Sequence, residues 1–231
     1  MKTDAFDIPV ITIDGPSGTG KGTIARKLAA HLGWHYLDSG AIYRVLAYAV
    51  QDKNIQLTDL NQLVDLAREL PCRFQMDDPD RSLVVLENRD ITQAIREEIC
   101  GQNASKLGEI PDVRKALLSR QRAFAKPPGL VTDGRDMGTV VFPEACLKFY
   151  LDASSEERAK RRYLQLKELG NDASLAQVVE ELSQRDERDM NRRVAPLRPA
   201  DDAIHIDTTT LSAVQVFDNV LKFTDEHVTQ C

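Results

Sequence analysis

The sequence predicts an α/β protein with a mostly parallel, doubly wound sheet. Short β-branched runs alternate with stretches of helical apolar spacing, and a glycine-rich loop joins the first run to the first helical stretch. The 231 residues suit one domain of ordinary α/β size with a small insertion, long enough to bury a sizeable core.

The elements follow in order. Val10 to Ile13 reads as a buried strand that stops at Asp14-Gly15-Pro16, and Ile24, Leu28 and Leu32 then recur every fourth residue until Gly33. An extended piece from Trp34 to Leu37 leads to Ser39, read as the cap of a helix carrying Ile42, Leu46 and Ala49. Thr58 reads as the cap of the next helix, with Leu60, Leu63, Val64, Leu66 and Ala67 before Pro71. Residues 72–91 change character: Cys72 to Met76, an acidic turn at Asp77-Asp78-Pro79-Asp80, Ser82 to Leu86 and a turn at Asn88-Arg89 predict a small antiparallel β insertion. A helix from about Asp112 to Phe124 breaks at Lys126-Pro127-Pro128-Gly129, and strands follow at Leu130 to Asp133 and Leu147 to Leu151. Ser154 and Glu157 form a capping box for a helix to about Leu169; Gly170-Asn171 separates it from a second helix bearing Val178 and Leu182, the two making an arginine-rich arm. Ala203 to Asp207 is the last strand, and Leu211, Val214, Phe217, Val220 and Leu221 stripe the last helix.

Thirty basic against thirty-six acidic residues leave a net charge of −6, which disfavours broad adhesion to nucleic acid or anionic membranes. An anionic ligand must then be held by local groups. Cys72, Cys100, Cys146 and Cys231 form no C-x-x-C pair, so reduced structural thiols are expected rather than a zinc or dithiol site. Asp4 and Asp7 stand where a secretory signal would be basic and then apolar, and no run reaches transmembrane length, so a cytoplasmic location is expected.

The residues Gly15, Pro16, Ser17, Gly18, Thr19, Gly20, Lys21, Gly22 and Thr23 fit G-x-x-x-x-G-K between a predicted strand and a predicted helix. Glycines let backbone N–H groups approach phosphate oxygens, the helix N-terminus adds partial positive charge, and Lys21 adds a full one. Gly22 occupies the place where Ser or Thr usually follows the lysine, with Thr23 one place later; a Gly-Lys-Gly-Thr ending resembles the nucleoside monophosphate kinases, which implies that Thr23 is a phosphate or water-shell contact. Asp14 and Asp133 end strands beside this loop; each either organises water around a magnesium ion or caps a neighbouring loop. A nucleotide-dependent switch is the reading from another class, but the guanine-reading Asn-Lys-x-Asp pattern does not occur.

A second ligand is suggested by Asp38-Ser39-Gly40-Ala41-Ile42-Tyr43-Arg44 and Asp133-Gly134-Arg135-Asp136-Met137-Gly138, both at C-terminal ends of predicted strands, where open parallel sheets bind ligands. Either arginine alone reads equally as a surface charge or a structural ion pair. Their joint placement favours an anion.

Together with Arg185-Asp-Glu-Arg-Asp-Met-Asn-Arg192, these motifs make the whole chain resemble bacterial cytidylate kinases, of the P-loop nucleoside monophosphate kinase family. The resemblance implies one kinase unit with the P-loop kinase fold: a core of residues 1–38, 127–153 and 200–231, a monophosphate-binding part with the β insertion at about 39–126, and a helical lid at about 154–199. It implies direct in-line transfer of the γ-phosphoryl group of ATP, with Mg²⁺, to CMP or dCMP; a cytoplasmic monomer that binds neither nucleic acid nor membrane is the accompanying expectation. Lys21, Arg135 and Arg192 would be catalytic, and Arg158 and Arg161 would join the loop in binding ATP. Arg44, Arg135 and Arg192 would hold the acceptor phosphate, Tyr43 and Asp189 would lie near the sugar, and Ser105, Arg114 and Asp136 would read the cytosine. Asp38, Ser39 and Arg185 would complete the acceptor site. A carboxylate at Asp136 can accept from the exocyclic amine of cytosine, where uracil presents an acceptor, so CMP should be preferred over UMP.

Overall fold

The computed structural model of the protein describes residues 8–78, 81–168, 170 and 172–228. Asp4, Asp7, Pro79, Asp80, Leu169, Asn171 and Cys231 lie outside the described residues. In chain order the elements are β1 (Val10–Asp14), α1 (Lys21–Leu32), β2 (His35–Asp38), α2 (Ser39–Asp52), α3 (Leu60–Glu69), β3 (Cys72–Asp78), β4 (Arg81–Leu86) and β5 (Arg89–Asp90). A 3₁₀ turn (Ala94–Arg96), α4 (Glu98–Leu107), α5 (Pro111–Arg122), β6 (Leu130–Gly134) and a π turn (Met137–Val141) follow. The chain continues through β7 (Leu147–Asp152), α6 (Ser155–Glu168), α7 (Leu175–Asn191), β8 (Ile204–Asp207) and α8 (Ala213–His227). The described residues form two compact units, one running up to Leu37 and resuming at Ala125, the other Asp38–Phe124.

The first unit carries a five-stranded sheet in the order β2-β6-β1-β7-β8. Strand β1 runs parallel to β6 and β7, and β7 parallel to β8. Because β1 is central, all five of its residues are buried, which is why it reads as a β-branched run ending in a single acid. Its core joins Ile11 and Ile13 to Ile24 and Leu28 of α1, Phe149 and Leu151 of β7, and Val216 and Val220 of α8. The expected α/β class and parallel sheet are therefore present. Helices α6 and α7 bury their own small cluster of Ala159, Leu166 and Val178, with Tyr163 and Leu182 against it.

The second unit holds α2 against α4, α3 against α5, and the antiparallel sheet β3-β4-β5. The β insertion read from residues 72–91 is therefore present. Two predicted caps move by one residue. Asp38, not Ser39, caps α2, its carboxylate accepting from Ala41 N at 3.0 Å, and Asp59, not Thr58, caps α3 by accepting from Gln62 N at 3.1 Å. In each case a carboxylate adjoins the predicted hydroxyl and its negative charge suits the helix N-terminus better. Ser154 Oγ accepts from Glu157 N as a cap should, while the Glu157 carboxylate engages Arg161 at 3.0 Å.

Helix α4 and the π turn were not legible. The buried side of α4 is Cys100, Gly101, Ala104, Ser105 and Leu107, which has helical spacing but too many small residues to register as an apolar stripe. Cys72 and Cys100 are free thiols, as expected, whereas Cys146 is disulfide-bonded. Among the described residues no helix is long and apolar enough to cross a membrane.

Candidate active site

The loop between β1 and α1 has the geometry its composition requires. A Cβ on Gly15, at φ +148°, would come within 2.0 Å of Leu151 O, and one on Gly18, at φ +84°, within 2.9 Å of Arg158 Cβ. Only glycine lets the backbone pass this close to its neighbours. The first turn of α1 holds no acidic residue of its own, and the Asp133 carboxylate lies beside it, where a Cβ on Gly22 would come within 3.6 Å of Oδ2. Lys21 is buried, with Nζ donating to Pro16 O at 2.9 Å, and the Thr19 hydroxyl donates to the same carbonyl at 3.2 Å. Thr23 is exposed on that first turn.

Arg135, from the loop after β6, donates through Nη2 to Ser17 Oγ at 2.7 Å and through Nε to Asp189 Oδ2 at 2.7 Å. Asp189, 1% exposed, also pairs with Arg192 at the end of α7. One buried carboxylate thus orients two predicted catalytic arginines, and one of these reaches the phosphate loop. Arg185 and Asp189 fall at i and i+4 on one face of α7, and Arg192 is the residue that ends it.

Arg158 and Arg161 take different places. Buried Arg158 donates to Asp186 at 2.5 Å, to Ala153 O, to Ser155 Oγ and to Ser17 O at 3.2 Å, so it braces the phosphate loop against α6 and α7. Arg161 instead grips Thr208, donating to Oγ1 at 3.0 Å and to the carbonyl at 2.6 Å, and Thr208 Oγ1 lies 3.4 Å from Thr19 O. Asp186 and Thr208 were not singled out in the sequence. The signal available for Thr208 was its place just past the C-terminal end of β8, where a sheet of this class gathers its ligands.

The two acids left open are now assigned partners. Asp14 accepts from Met137 N and Gly138 N, and Asp133 accepts from Tyr36 Oη at 2.7 Å. Asp136, adjoining Arg135, is 4% exposed.

In the second unit Asp38 caps α2 and Ser39 is buried in its first turn. Arg44 donates to Ile95 O at 2.9 Å and lies over Gly101, where a Cβ would meet its guanidinium at 2.8 Å. Arg114 is buried, with Nη1 donating to Gly108 O at 3.3 Å and Cζ 5.9 Å from the centre of the Tyr43 ring. Ser105 is buried on α4, one turn beyond Gly101. The arginines, tyrosine and serine expected to serve the acceptor are therefore on helices α2, α4 and α5 of one unit, with the Arg114 guanidinium over the Tyr43 ring.

A sequence model of the family described as cytidylate kinase matches residues 11–226. The cytidylate kinase of Stutzerimonas stutzeri (strain A1501) is 55% identical over 215 residues, covering 93% of this chain and 94% of that one. That of Colwellia psychrerythraea (strain 34H) is 52% identical over 221 residues, covering 96% and 98%. Among solved structures, an uncharacterized protein from Eubacterium ventriosum matches with a TM-score of 0.50 at 14% identity, covering 95% of this chain and 99% of that one, a likeness of fold alone.

Proposed function

The chain belongs to the cytidylate kinase family, and from that premise we propose which of its residues carry the reaction. It is an ATP-dependent kinase that transfers the γ-phosphoryl group of ATP to CMP or dCMP, giving ADP and CDP or dCDP. The observation that carries the residue assignment is the bond from Arg135 to Ser17, which sets a guanidinium of the acceptor loop against the loop that takes the triphosphate.

Residues Gly15 to Thr23 cradle the ATP phosphates with backbone N–H groups, and Lys21 moves from Pro16 O to the transferred group. Arg135 and Arg192 neutralise charge on the acceptor and transferred phosphates, oriented by Asp189, whose two oxygens they occupy. Transfer between two bound nucleotides depends mainly on alignment and charge stabilisation, so no covalent nucleophile is required. Arg44 holds the acceptor phosphate and Tyr43 lies near the sugar; Ser105, Arg114 and Asp136 read the cytosine, while Asp38, Ser39 and Arg185 support the acceptor. Arg158 and Arg161 serve ATP through the phosphate loop and Thr208, supported by their bonds to Ser17 O and to Thr208.

Kinases of this kind use a divalent cation. Among the described residues no group of three or more His, Cys, Asp or Glu side chains makes a cage, which suits Mg²⁺ held by nucleotide phosphates and water. Thr23, one place beyond Gly22, serves its water shell. When bound, the ion neutralises charge on the transferred phosphoryl group. We further propose a three-part division into core, monophosphate-binding part and lid, and action as a cytoplasmic monomer, in keeping with the acidic net charge and metabolite substrates.

Incubation with Mg-ATP and CMP, followed by chromatography, tests the reading. CDP and ADP should appear in equal amounts. ATP uptake without phosphorylation of any acceptor would replace the kinase with a nucleotide-binding module.

A further inference from the structure

Asp14, the last residue of β1, is 4% exposed and immediately precedes the phosphate loop. Its Oδ1 accepts from Met137 N at 3.0 Å and its Oδ2 from Gly138 N at 2.8 Å. These are the first two amides of the π turn Met137–Val141, whose own bonds run from Val140 N and Val141 N back to Asp136 O and from Phe142 N to Met137 O. The leading amides of a helical turn have no acceptor within it. Asp14 supplies both acceptors from 123 and 124 residues away in sequence.

The turn so held begins directly after Arg135 and Asp136. Two further features fix it to the sheet. The β1–β6 register continues to its last pair, Asp14 with Gly134. Gly138 lies flat on β1 and β7, where a Cβ would come within 2.8 Å of Thr12 Oγ1 and 3.1 Å of Lys148 Cδ. Burial opposes the ionised carboxylate and raises its pKa to about 6, against the two amides and Lys21, which lower it, while Asp136 adds to the rise. A neutral isostere would avoid that cost, but an amide has one acceptor where this turn presents two donors.

We propose that Asp14 is a positioning residue for the acceptor: by gripping Met137 N and Gly138 N it fixes Arg135 and Asp136 relative to the phosphate loop, and so sets the preference for CMP over UMP without touching either nucleotide. The inference rests on the reading that Arg135 and Asp136 serve the acceptor. Loss of one acceptor frees one amide and lets Asp136 shift against the base.

The test is kcat/KM for CMP and for UMP at saturating Mg-ATP in Asp14→Asn, Gly138→Ala and Asp136→Asn. Asp14→Asn should lower the CMP/UMP ratio by about tenfold, the scale of one charge-assisted hydrogen bond, and leave KM for ATP within about twofold. Gly138→Ala, which keeps the carboxylate but lifts the turn from Thr12, should lower the ratio in the same direction. A merely structural role reduces the active fraction equally for both substrates and leaves the ratio unchanged, so an unchanged ratio overturns the proposal. If Asp14→Asn does not fold, Gly138→Ala decides on the same criterion. Asp136→Asn separates the two levels of inference. A ratio unmoved by Asp136→Asn removes base reading by Asp136 and this proposal with it. A ratio narrowed by Asp136→Asn but not by the other two removes the role of Asp14 alone.

Discussion

Asp189→Asn probes how the arginines of the candidate site are set. The side chain is 1% exposed, and its oxygens face Arg135, 13% exposed, and Arg192, 7% exposed. Asparagine keeps the shape but withdraws the negative charge between two guanidinium groups. Each hydrogen bond to a charged group is worth about 1.5–3 kcal/mol, and breaking a buried pair costs about 3–5 kcal/mol because an uncompensated charge remains. We expect a stability loss of about 3 kcal/mol in urea denaturation, with the fold retained. Misplacement of a charge-stabilising group by about 1 Å costs on the order of 10²-fold in rate, so kcat/KM for the acceptor should fall by about that factor, mostly in kcat. The assay is steady-state ADP release with CMP and with dCMP, since the two acceptors differ only at the 2′-hydroxyl. If Asp189 acts through the arginines, both substrates lose equally. A loss confined to CMP would assign Asp189 to the sugar instead, and rates within about threefold of the parent would refute the positioning argument altogether.

Two other expectations follow from the same geometry. Lys21→Ala should lower turnover by about 10³-fold with unchanged far-ultraviolet circular dichroism, because it removes the charge at the transferred phosphoryl group; near-normal rates would remove Lys21 from the chemistry. Asp14 should also leave a signature in stability. Its folded pKa, raised by burial from 3.8 to about 6, means the protonated form is favoured in the fold, so stability from this group is present at low pH and lost as pH rises through about 6. The full effect is about 3 kcal/mol, of which about 2 falls between about pH 4.5 and 7.5. The stability of the parent relative to Asp14→Asn, compared by urea denaturation at those two pH values, should fall by that amount, and a flat difference would show that Asp14 does not titrate as described.

Legibility in the sequence followed chain distance. Residues 10–32 were readable because strand, glycine turn and helix are contiguous, and the lysine stands where the loop closes into α1. The contact of Arg135 with Asp189 spans 54 residues, and that of Arg158 with Asp186 spans 28, so in sequence each appears only as an isolated charge. Asp14 offered two readings, water around a metal ion or a loop cap, and only the placement of the Met137 and Gly138 amides favoured the cap. The buried face of α4, and with it the surroundings of Ser105, stayed hidden because close helix packing uses Gly, Ala and Ser, which carry little apolar signal. The shifted caps at Asp38 and Asp59 have another origin: two adjacent capping residues compete, and the carboxylate's charge at the helix N-terminus decides.

Initial rates with Mg-ATP across a panel of nucleoside monophosphates test the central claim most directly. CMP and dCMP should be phosphorylated fastest, with UMP slower by a factor reflecting the base contact at Asp136. Faster turnover of AMP, GMP or dTMP than of CMP would contradict it.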